Sequence, residues 1–466
     1  MPAWSAAVGD TPGGAGLVVL APSPRELADD GWLARGIAEV AAAAAAGGAG
    51  FVLVPPGPRR RIHRRLRREV DLHVEPLILV PDAKSPAFVA PPTAAALRYV
   101  AAEAATLPPA ARRCVARLAR LKSFRQFATA VLPSAGFLVW HPRAEPFGWL
   151  TRHAGGAHDV VLRPGWRGGD TPTVVVAVGP HSPAPALIAK VASGPTSAAA
   201  CLREADHLRG LGRTAEAAGA RVPRLVSVVD VGGNPAVLQT AVVGRPARLA
   251  LSSYHRGRAA LDSLFEWLLR WNVATRSDVV FDQEHVARWI LEPLDVLEGD
   301  LLHPGYAKLL RERAEALLGT SVPLVAAHHD LTASNVILDG RAGPGIIDWA
   351  EAEERALPLT DLFYAAVDFH VRRQGGSRVK AYHALLANPH RGSGELEAWV
   401  ARFADALDLS PGLVDLAFHA CWLRHARNES AGAAARTRER PFLDLLKLVA
   451  AGSLRDAPGG DLEWSR

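Results

Sequence analysis

The chain has 466 residues, of which 49% are apolar and 21% charged, and its formal net charge at pH 7 is +6. This length predicts two or three domains of a soluble globular protein. No apolar run reaches the roughly 18 residues of a membrane span, and no basic segment followed by an apolar one opens the chain. Cys114, Cys201 and Cys421 are far apart, which excludes a Cys-x-x-Cys zinc site and a disulfide framework and favours a reducing cytoplasm.

Residues 1–95 alternate between strand-like and helix-like segments. The strand-like segments are Gly16–Leu20, Gly50–Val54 and Pro76–Val80. A helical segment over Trp32–Ala46 and a basic segment separate them, and such alternation favours parallel strands in a small α/β domain. The glycines at positions 13, 14 and 16 stand before the first strand and not after it, so the sequence predicts no dinucleotide site and leaves this domain without an assigned role.

The basic segment Arg59–Arg68 and the net positive charge raise the question of a nucleic-acid partner. Ile62 and Leu66 are four residues apart, which predicts an amphipathic helix with a solvated basic face. Few aromatic residues lie nearby for base stacking, so the sequence does not favour nucleic acid. The pattern over residues 96–145 predicts a helical connector, which includes the strand-like segment Phe137–Trp140 near its end.

A hairpin is predicted at the start of the next region, residues 146–243. Two apolar segments, Val160–Leu162 and Val174–Val178, flank a loop that contains Gly165, Gly168 and Gly169. Glycines allow backbone N–H groups to approach phosphate oxygens, so this loop is a candidate phosphate cradle. Gly155–Gly156 is a competing candidate, and a plain surface hairpin is an equal alternative for either loop.

One strand and one helix after the hairpin contain a candidate ion pair. Ala186–Val191 reads as a strand with Lys190 near its end. Ser197–Leu208 reads as a helix with Ser197 as its N-cap, and Glu204 on this helix is the expected partner of Lys190. A lysine that a helix glutamate holds in place is the arrangement with which kinases bind the α- and β-phosphates of a nucleotide.

The most informative motif is His328-x-Asp330-Leu331-x-x-x-Asn335, followed by Asp348-Trp349. Its spacing is that of the protein-kinase catalytic loop, with His329 where arginine usually stands. Apolar segments on both sides of Asp339–Gly340 predict a short hairpin that brings Asn335 beside Asp348. Asp330 is the candidate base for a hydroxyl, and Asn335 and Asp348 are candidate Mg²⁺ ligands. Taken singly, such residues are more often turn formers or helix caps.

These residues resemble the aminoglycoside phosphotransferase and choline kinase family over about residues 145–450. The resemblance implies an α+β, two-lobed protein-kinase-like fold preceded by the small α/β domain. The N-lobe would be a small antiparallel sheet over residues 146–243, and the C-lobe, residues 244–455, would be mainly helical. Backbone groups of Thr240 and Val242 would meet the adenine at the hinge between the lobes. Asp361 would brace the catalytic loop, with a helix N-cap as its alternative role.

The family also implies what the protein does. It would transfer the γ-phosphoryl group of ATP or GTP, with Mg²⁺, to a hydroxyl of a small molecule such as an aminoglycoside, an amino alcohol or a sugar-like acceptor. His328 would pack under the loop and bond to the backbone, and His329 would face solvent. A catalytically silent nucleotide-binding or scaffold protein is the alternative, which the poor match of the glycine loop favours.

Overall fold

The computed structural model describes residues 17–20, 30–45, 49–54, 72–80, 88–103, 135–140, 147–156, 158–163, 170–180, 184–251, 254–297, 302–340, 343–385, 394–431 and 440–456, with residues 62, 64, 66 and 68. The chain divides into two compact units. Unit 1 lies within residues 1–206 and 223–245, and unit 2 within residues 207–222 and 246–466. The domain bounds predicted from sequence stay predictions.

Unit 1 contains the ten strands of one sheet and four helices, the last of which reaches into unit 2. In chain order they are β1 (Leu17–Leu20), α1 (Asp30–Ala45), β2 (Ala49–Val54), β3 (His73–Val80), β4 (Phe88–Ala90), α2 (Ala94–Glu103), β5 (Ala135–Trp140), α3 (Gly148–Ala154), β6 (Asp159–Arg163), β7 (Thr173–Val178), β8 (Pro185–Val191), α4 (Pro195–Gly210), β9 (Leu225–Val231) and β10 (Asn234–Thr240).

The strand order of this sheet is β1-β2-β5-β3-β4-β6-β7-β8-β10-β9. Among the described strands of this sheet, β1 and β2 are the only parallel neighbours, because β5 inserts between β2 and β3 and runs antiparallel to both. β3 therefore runs in the same direction as β1 and β2, as predicted, but it pairs with antiparallel neighbours. The pair Val89–Leu162 joins β4 to β6, so strands of the N-terminal region continue into the hairpin of β6 and β7.

Both faces of the middle strands are buried, which explains their uninterrupted apolar sequences. On one face Val175, Leu187 and Leu238 pack with Phe147 and Leu150 at helix α3. On the other face the apolar side chains of α2 pack against the same sheet, and nearer β10 helix α4 covers it through Cys201 and Ala205. Helix α4 therefore packs directly against the sheet.

The predicted basic helix and connector fall largely outside the described residues. Ile62 and Leu66 are fully buried with Ile37 and Val40, whereas Arg64 and Arg68 are exposed, as an amphipathic segment requires. Cys114 and residues 104–134 and 141–146 lie outside the described residues.

Unit 2 is mainly helical. Its elements in chain order are α5 (Gly212–Ala217), the short strand β11 (Arg245–Pro246) at the border of the units, α6 (Tyr254–Thr275), β12 (Ser277–Val280), α7 (Gln283–Val286), a π-helical turn (Ala287–Leu291), α8 (Glu292–Leu297), α9 (Pro304–Glu315), β13 (Ser321–Ala327), β14 (Val336–Leu338), β15 (Gly345–Ile346), β16 (Glu353–Ala356), α10 (Thr360–Gln374), α11 (Arg378–Leu385), α12 (Glu395–Leu407), α13 (Pro411–Ala431) and α14 (Pro441–Asp456). Among the described helices of both units, none is long and apolar enough to span a bilayer.

Helix α6 lies at the centre of this unit. Its predicted apolar face is confirmed, since Leu264, Phe265 and Leu268 are buried. On the same helix Trp271 donates its indole N–H to the Ala326 carbonyl at 2.7 Å. Its ring meets Trp349 edge-on, with centroids 5.7 Å apart. The helix therefore supports the chain on both sides of the predicted catalytic loop.

Leu268 tests how much this buried face stabilises unit 2. We expect Leu268→Ala to lower the free energy of unfolding by about 2–5 kcal/mol, because the change leaves a cavity among buried side chains. Val273→Ala is the control, since Val273 lies on the same helix and is 50% exposed. It should change the stability by about 0.5 kcal/mol or less. Chemical denaturation followed by circular dichroism measures both, and equal losses would contradict the described core.

Candidate functional site

The loop from His328 to Asn335 connects strands β13 and β14, and the predicted hairpin follows it. Val336 of β14 pairs with Ile346 of β15 in antiparallel register. The Ile347 N–H donates to the Asn335 carbonyl at 3.0 Å. The hairpin therefore places Asn335 beside the residue that precedes Asp348, as the spacing predicted.

Asp361, in the first turn of α10, holds the start of this loop. Its two carboxylate oxygens accept the N–H groups of His328, at 2.6 Å, and His329, at 2.7 Å. The predicted brace is confirmed, and the alternative of an N-cap is not, because Leu359 occupies the cap position. His329 has φ 61°, a left-handed conformation that costs free energy for a residue with a Cβ. The two hydrogen bonds to Asp361 stabilise that turn.

Asp330 directly follows His329 and has a hydrogen-bond donor on each carboxylate oxygen. The Asn335 amide donates to Oδ2 at 2.8 Å and to the Asp330 carbonyl at 2.9 Å. The Tyr364 hydroxyl donates to Oδ1 at 3.3 Å. Burial, and next the charge of Asp348, raise the pKa of Asp330 to about 7, against the two hydrogen bonds that lower it. Asp330 is thus a carboxyl group oriented from two sides and close to a second carboxylate.

The orientation of Asn335 matters for metal binding. Because its NH₂ group donates to Asp330, its amide oxygen points the other way and is a hard ligand. Asp348 has φ 71° and lies near enough to raise the pKa of Asp330 by its charge, which a cation there would offset. The described residues contain no cluster of three or more His, Cys, Asp or Glu ligands. Two protein oxygens suit Mg²⁺, which takes its other ligands from phosphates and water.

The two histidines of the loop are both buried. His328 receives the Asp330 N–H at Nδ1, and its Nε2 lies 3.1 Å from the Ile347 carbonyl, so it packs under the loop as predicted. Burial lowers the pKa of His328, which keeps it neutral. The prediction of a solvent-facing His329 is wrong, since His329 is 6% exposed. Its Nε2 lies 3.6 Å from the carboxylate of Glu353.

Glu353 is the centre of a charge network that the sequence did not reveal. Arg424 binds it at 2.5 Å and Arg288 at 2.9 Å. Burial alone would raise the pKa of Glu353, but His329 and these two arginines hold it far below its ordinary value. His329 is buried beside this network, with Nε2 within ion-pair distance of Glu353.

Helix α10 supplies further loop contacts that sequence reasoning missed. Asp368 accepts the Ala333 N–H at 2.9 Å and the Arg372 guanidinium at 2.9 Å. With Asp361 and Tyr364 it forms a set spaced by three and four residues, which is one face of a helix. That periodicity of polar residues in an otherwise buried helix is the signal that could have identified them.

Unit 1 holds the other predicted charged pair. Lys190 Nζ lies 2.8 Å from Glu204 Oε1 and 2.6 Å from Oε2. Lys190 is 9% exposed and Glu204 fully buried. Lys190 shares a sheet face with its register partners Val174 and Val237, and α4 covers that face. The predicted pairing is confirmed, and the roles of both residues toward phosphate stay predictions.

The start of α4 differs from the prediction. The helix begins at Pro195, so Ser197 is not its N-cap. Ser197 Oγ instead accepts the N–H groups of Ser193 and Gly194, at 2.8 and 3.1 Å. Asp170 accepts the Thr196 N–H at 2.6 Å and also bonds to the Ser197 hydroxyl. Asp170 thereby ties the end of the β6–β7 connection to the helix that carries Glu204.

The predicted glycine loop and the predicted hinge stay untested. Gly165, Gly168 and Gly169 lie outside the described residues. The competing Gly155–Gly156 pair ends helix α3 with φ values of 77° and 145°. The Thr240 N–H donates to the Arg224 carbonyl at 2.9 Å, so it is already engaged, and half-buried Val242 lies beyond the end of β10.

More than half of the chain matches the model of one known protein family. Residues 161–439 match the model of the phosphotransferase enzyme family, APH. A comparison with curated protein sequences finds no match.

Similar solved structures include an aminoglycoside phosphotransferase from Streptomyces rimosus, in complex with ADP and streptomycin. It is 18% identical, with 54% of this chain and 94% of that chain covered and a TM-score of 0.34. A choline/ethanolamine kinase family protein from Mesorhizobium loti is 20% identical, with 63% and 88% covered and a TM-score of 0.35. A macrolide 2'-phosphotransferase from Brachybacterium faecium is 15% identical, with 59% and 91% covered and a TM-score of 0.36.

At these TM-scores the likenesses decide nothing about function, and the family rests on the match over residues 161–439. That match includes Lys190, Glu204 and the loop that contains Asp330. The sheet-rich unit 1 and the mainly helical unit 2 agree with the predicted α+β class. The chain belongs to the phosphotransferase enzyme family, and its described elements form an α+β fold.

Proposed function

We propose that the protein transfers the γ-phosphoryl group of ATP or GTP to a hydroxyl of a small molecule. One observation supports this above all. A single hairpin brings Asp330, Asn335 and the segment of Asp348 together, and Asp361 holds the loop that precedes it. The buried free thiols of Cys201 and Cys421 suit the reducing cytoplasm in which such an enzyme would act.

Asp330 would orient the acceptor hydroxyl and receive its proton. As the hydroxyl oxygen bonds to the γ-phosphorus, the bond to the β–γ bridging oxygen breaks, and ADP or GDP leaves. Asn335 and Tyr364 each bind one oxygen of Asp330, which fixes the direction of its lone pairs. Such orientation of a base contributes to the rate because the reacting atoms then need little further ordering.

Asn335 and Asp348 would hold Mg²⁺ through the amide oxygen and a carboxylate oxygen. The ion would neutralise charge on the phosphates when it is bound. The donor arrangement of Asn335 supports this role, since its NH₂ group faces Asp330.

Lys190 would bind the α- and β-phosphates of the nucleotide. An ammonium group on a flexible stem suits this task, and the buried carboxylate of Glu204 restricts its position. A buried lysine without such a partner would favour its neutral form, since desolvation disfavours the charge. Glu204 therefore would keep Lys190 charged as well as in place.

Asp330→Ala is the direct test of the base. We expect kcat to fall by about 10²–10⁴-fold with the KM for the nucleotide little changed, because general-base catalysis acts on the transfer step. The assay incubates the protein with Mg-ATP or Mg-GTP and a panel of aminoglycosides, amino alcohols and sugars, and mass spectrometry detects a gain of one phosphate. Asp262→Ala, at a half-buried carboxylate on α6, is the control. Undiminished transfer by Asp330→Ala would refute the assignment.

Lys190→Met tests phosphate binding. We expect the KM for the nucleotide to rise about tenfold or more, since a hydrogen bond to a charged group is lost. Glu204→Gln should give a smaller rise, and the double variant should not add the two effects, because both residues form one unit. Lys308→Met is the control at an exposed lysine on α9. Thermal midpoints check folding, and strictly additive effects would argue against a coupled pair.

Asp361→Ala tests the brace of the catalytic loop. We expect the amides of His328 and His329 to exchange with deuterium about tenfold faster or more, since each loses a charged acceptor. Transfer should fall through kcat, because the loop would no longer hold Asp330 in one orientation. Peptide-resolved hydrogen exchange with an activity assay measures both. Unchanged exchange at residues 328–330 would show that other contacts hold the loop.

A further inference from the structure

Three aromatic side chains form a cluster against the proposed base. Tyr364, whose hydroxyl binds Asp330, stacks on His425 with centroids 4.0 Å apart. Phe442 stacks on both, 5.0 Å from His425 and 6.0 Å from Tyr364. We call these three residues the aromatic cluster. An acceptor whose hydroxyl reaches Asp330 would lie near this cluster, of which Phe442 is partly exposed.

Arg378 supplies the charge of the aromatic cluster. Its guanidinium lies over the Phe442 ring, 4.1 Å from the centroid. Within the described part of the chain, no carboxylate lies within ion-pair distance of it. Arg378 is half-buried, so a ligand can approach its donors. Its cation–π contact fixes its position and leaves its hydrogen-bonding N–H groups available to an anion.

The carboxylates around the loop already have partners. Asp361 binds two backbone N–H groups, and Asp368 binds Arg372 and the Ala333 N–H. Glu353 binds two arginines. Glu429, next to the aromatic cluster, accepts the N–H groups of Phe442 and Leu443 at 3.1 Å each. Apart from the proposed base Asp330 and the proposed metal ligand Asp348, a polycation would thus meet few uncommitted carboxylates on the described side chains here, and it would meet the positive charge of Arg378, which is near Glu429.

Resting on the proposed function, we propose that the aromatic cluster and Arg378 form one wall of the acceptor site, and that the acceptor is a ring-bearing alcohol with an anionic group. Because Tyr364 is buried and the three rings stack on one another, the partly exposed Phe442 would contact the acceptor ring, and the guanidinium would bind the anion. Among the acceptors that the family suggests, polycationic aminoglycosides fit this wall least.

A series of three alcohols that differ only in charge tests the proposal. The probes are 4-(hydroxymethyl)benzoate, 4-(hydroxymethyl)benzamide and 4-(aminomethyl)benzyl alcohol, titrated by ligand-observed NMR into the full chain with Mg²⁺ and a nonhydrolysable ATP analogue. We expect the benzoate to bind about tenfold more tightly than the amine, the size of one hydrogen bond to a charged group, with the benzamide between them.

Three variants separate charge from stacking. Arg378→Gln should bring the three affinities together, whereas Phe442→Ala should weaken all three probes, and the benzoate most, because Phe442 also positions Arg378. Arg402→Gln is the matched control, because Arg402 lies 4.1 Å from the Trp399 centroid in the same kind of contact. It should leave the series unchanged.

Tightest binding of the amine, failure of all three probes to bind, or an unchanged series in Arg378→Gln would overturn the proposal. Because binding is measured without phosphoryl transfer, failure of the acceptor proposal can be told apart from failure of the proposed function. Benzoate binding together with transfer that is absent from the parent protein for every acceptor would refute the transferase and leave an anion-selective ligand site.

Discussion

The site depends on the carboxylate of Asp361, which accepts two adjacent backbone N–H groups at the turn of His328 and His329. Hydrogen bonds to a charged acceptor are stronger than those between neutral groups, and burial strengthens them further. They stabilise a left-handed conformation at His329 that the chain would not favour alone. That turn sets the orientation of Asp330, the next residue.

Helix α10 is therefore more than support for the core of unit 2. One of its faces presents Asp361, Tyr364 and Asp368 to the loop, so a single helix contacts the start of the motif, the proposed base Asp330 and Ala333. A helix keeps such groups in register at spacings of three and four residues. A site oriented in this way would need little reorganisation for the proposed transfer.

Charge is unevenly compensated across the molecule. Lys190 and Glu204 form a closed pair in unit 1, and Glu353 lies among arginines in unit 2. Burial, and next the charge of Asp348, raise the pKa of Asp330. The Mg²⁺ proposed at Asn335 and Asp348 would offset the repulsion between the two carboxylates. Arg378 makes no ion pair among the described residues, although Glu429 lies near enough to feel its charge, and we assign it to the proposed acceptor site.

The sequence by itself determined the local features of this protein. The spacing of Asp330, Asn335 and Asp348 around Asp339–Gly340 was enough to predict the hairpin, because turn chemistry and strand alternation act between near neighbours. The pairing of Lys190 with Glu204 and the brace from Asp361 needed the family resemblance as well. The tertiary structure alone decided the burial of His329, the antiparallel insertion of β5 between β2 and β3, and the contact of Tyr364 with Asp330. Each of these joins segments distant in sequence, and no local pattern records which distant partner will neutralise a charge or complete a sheet.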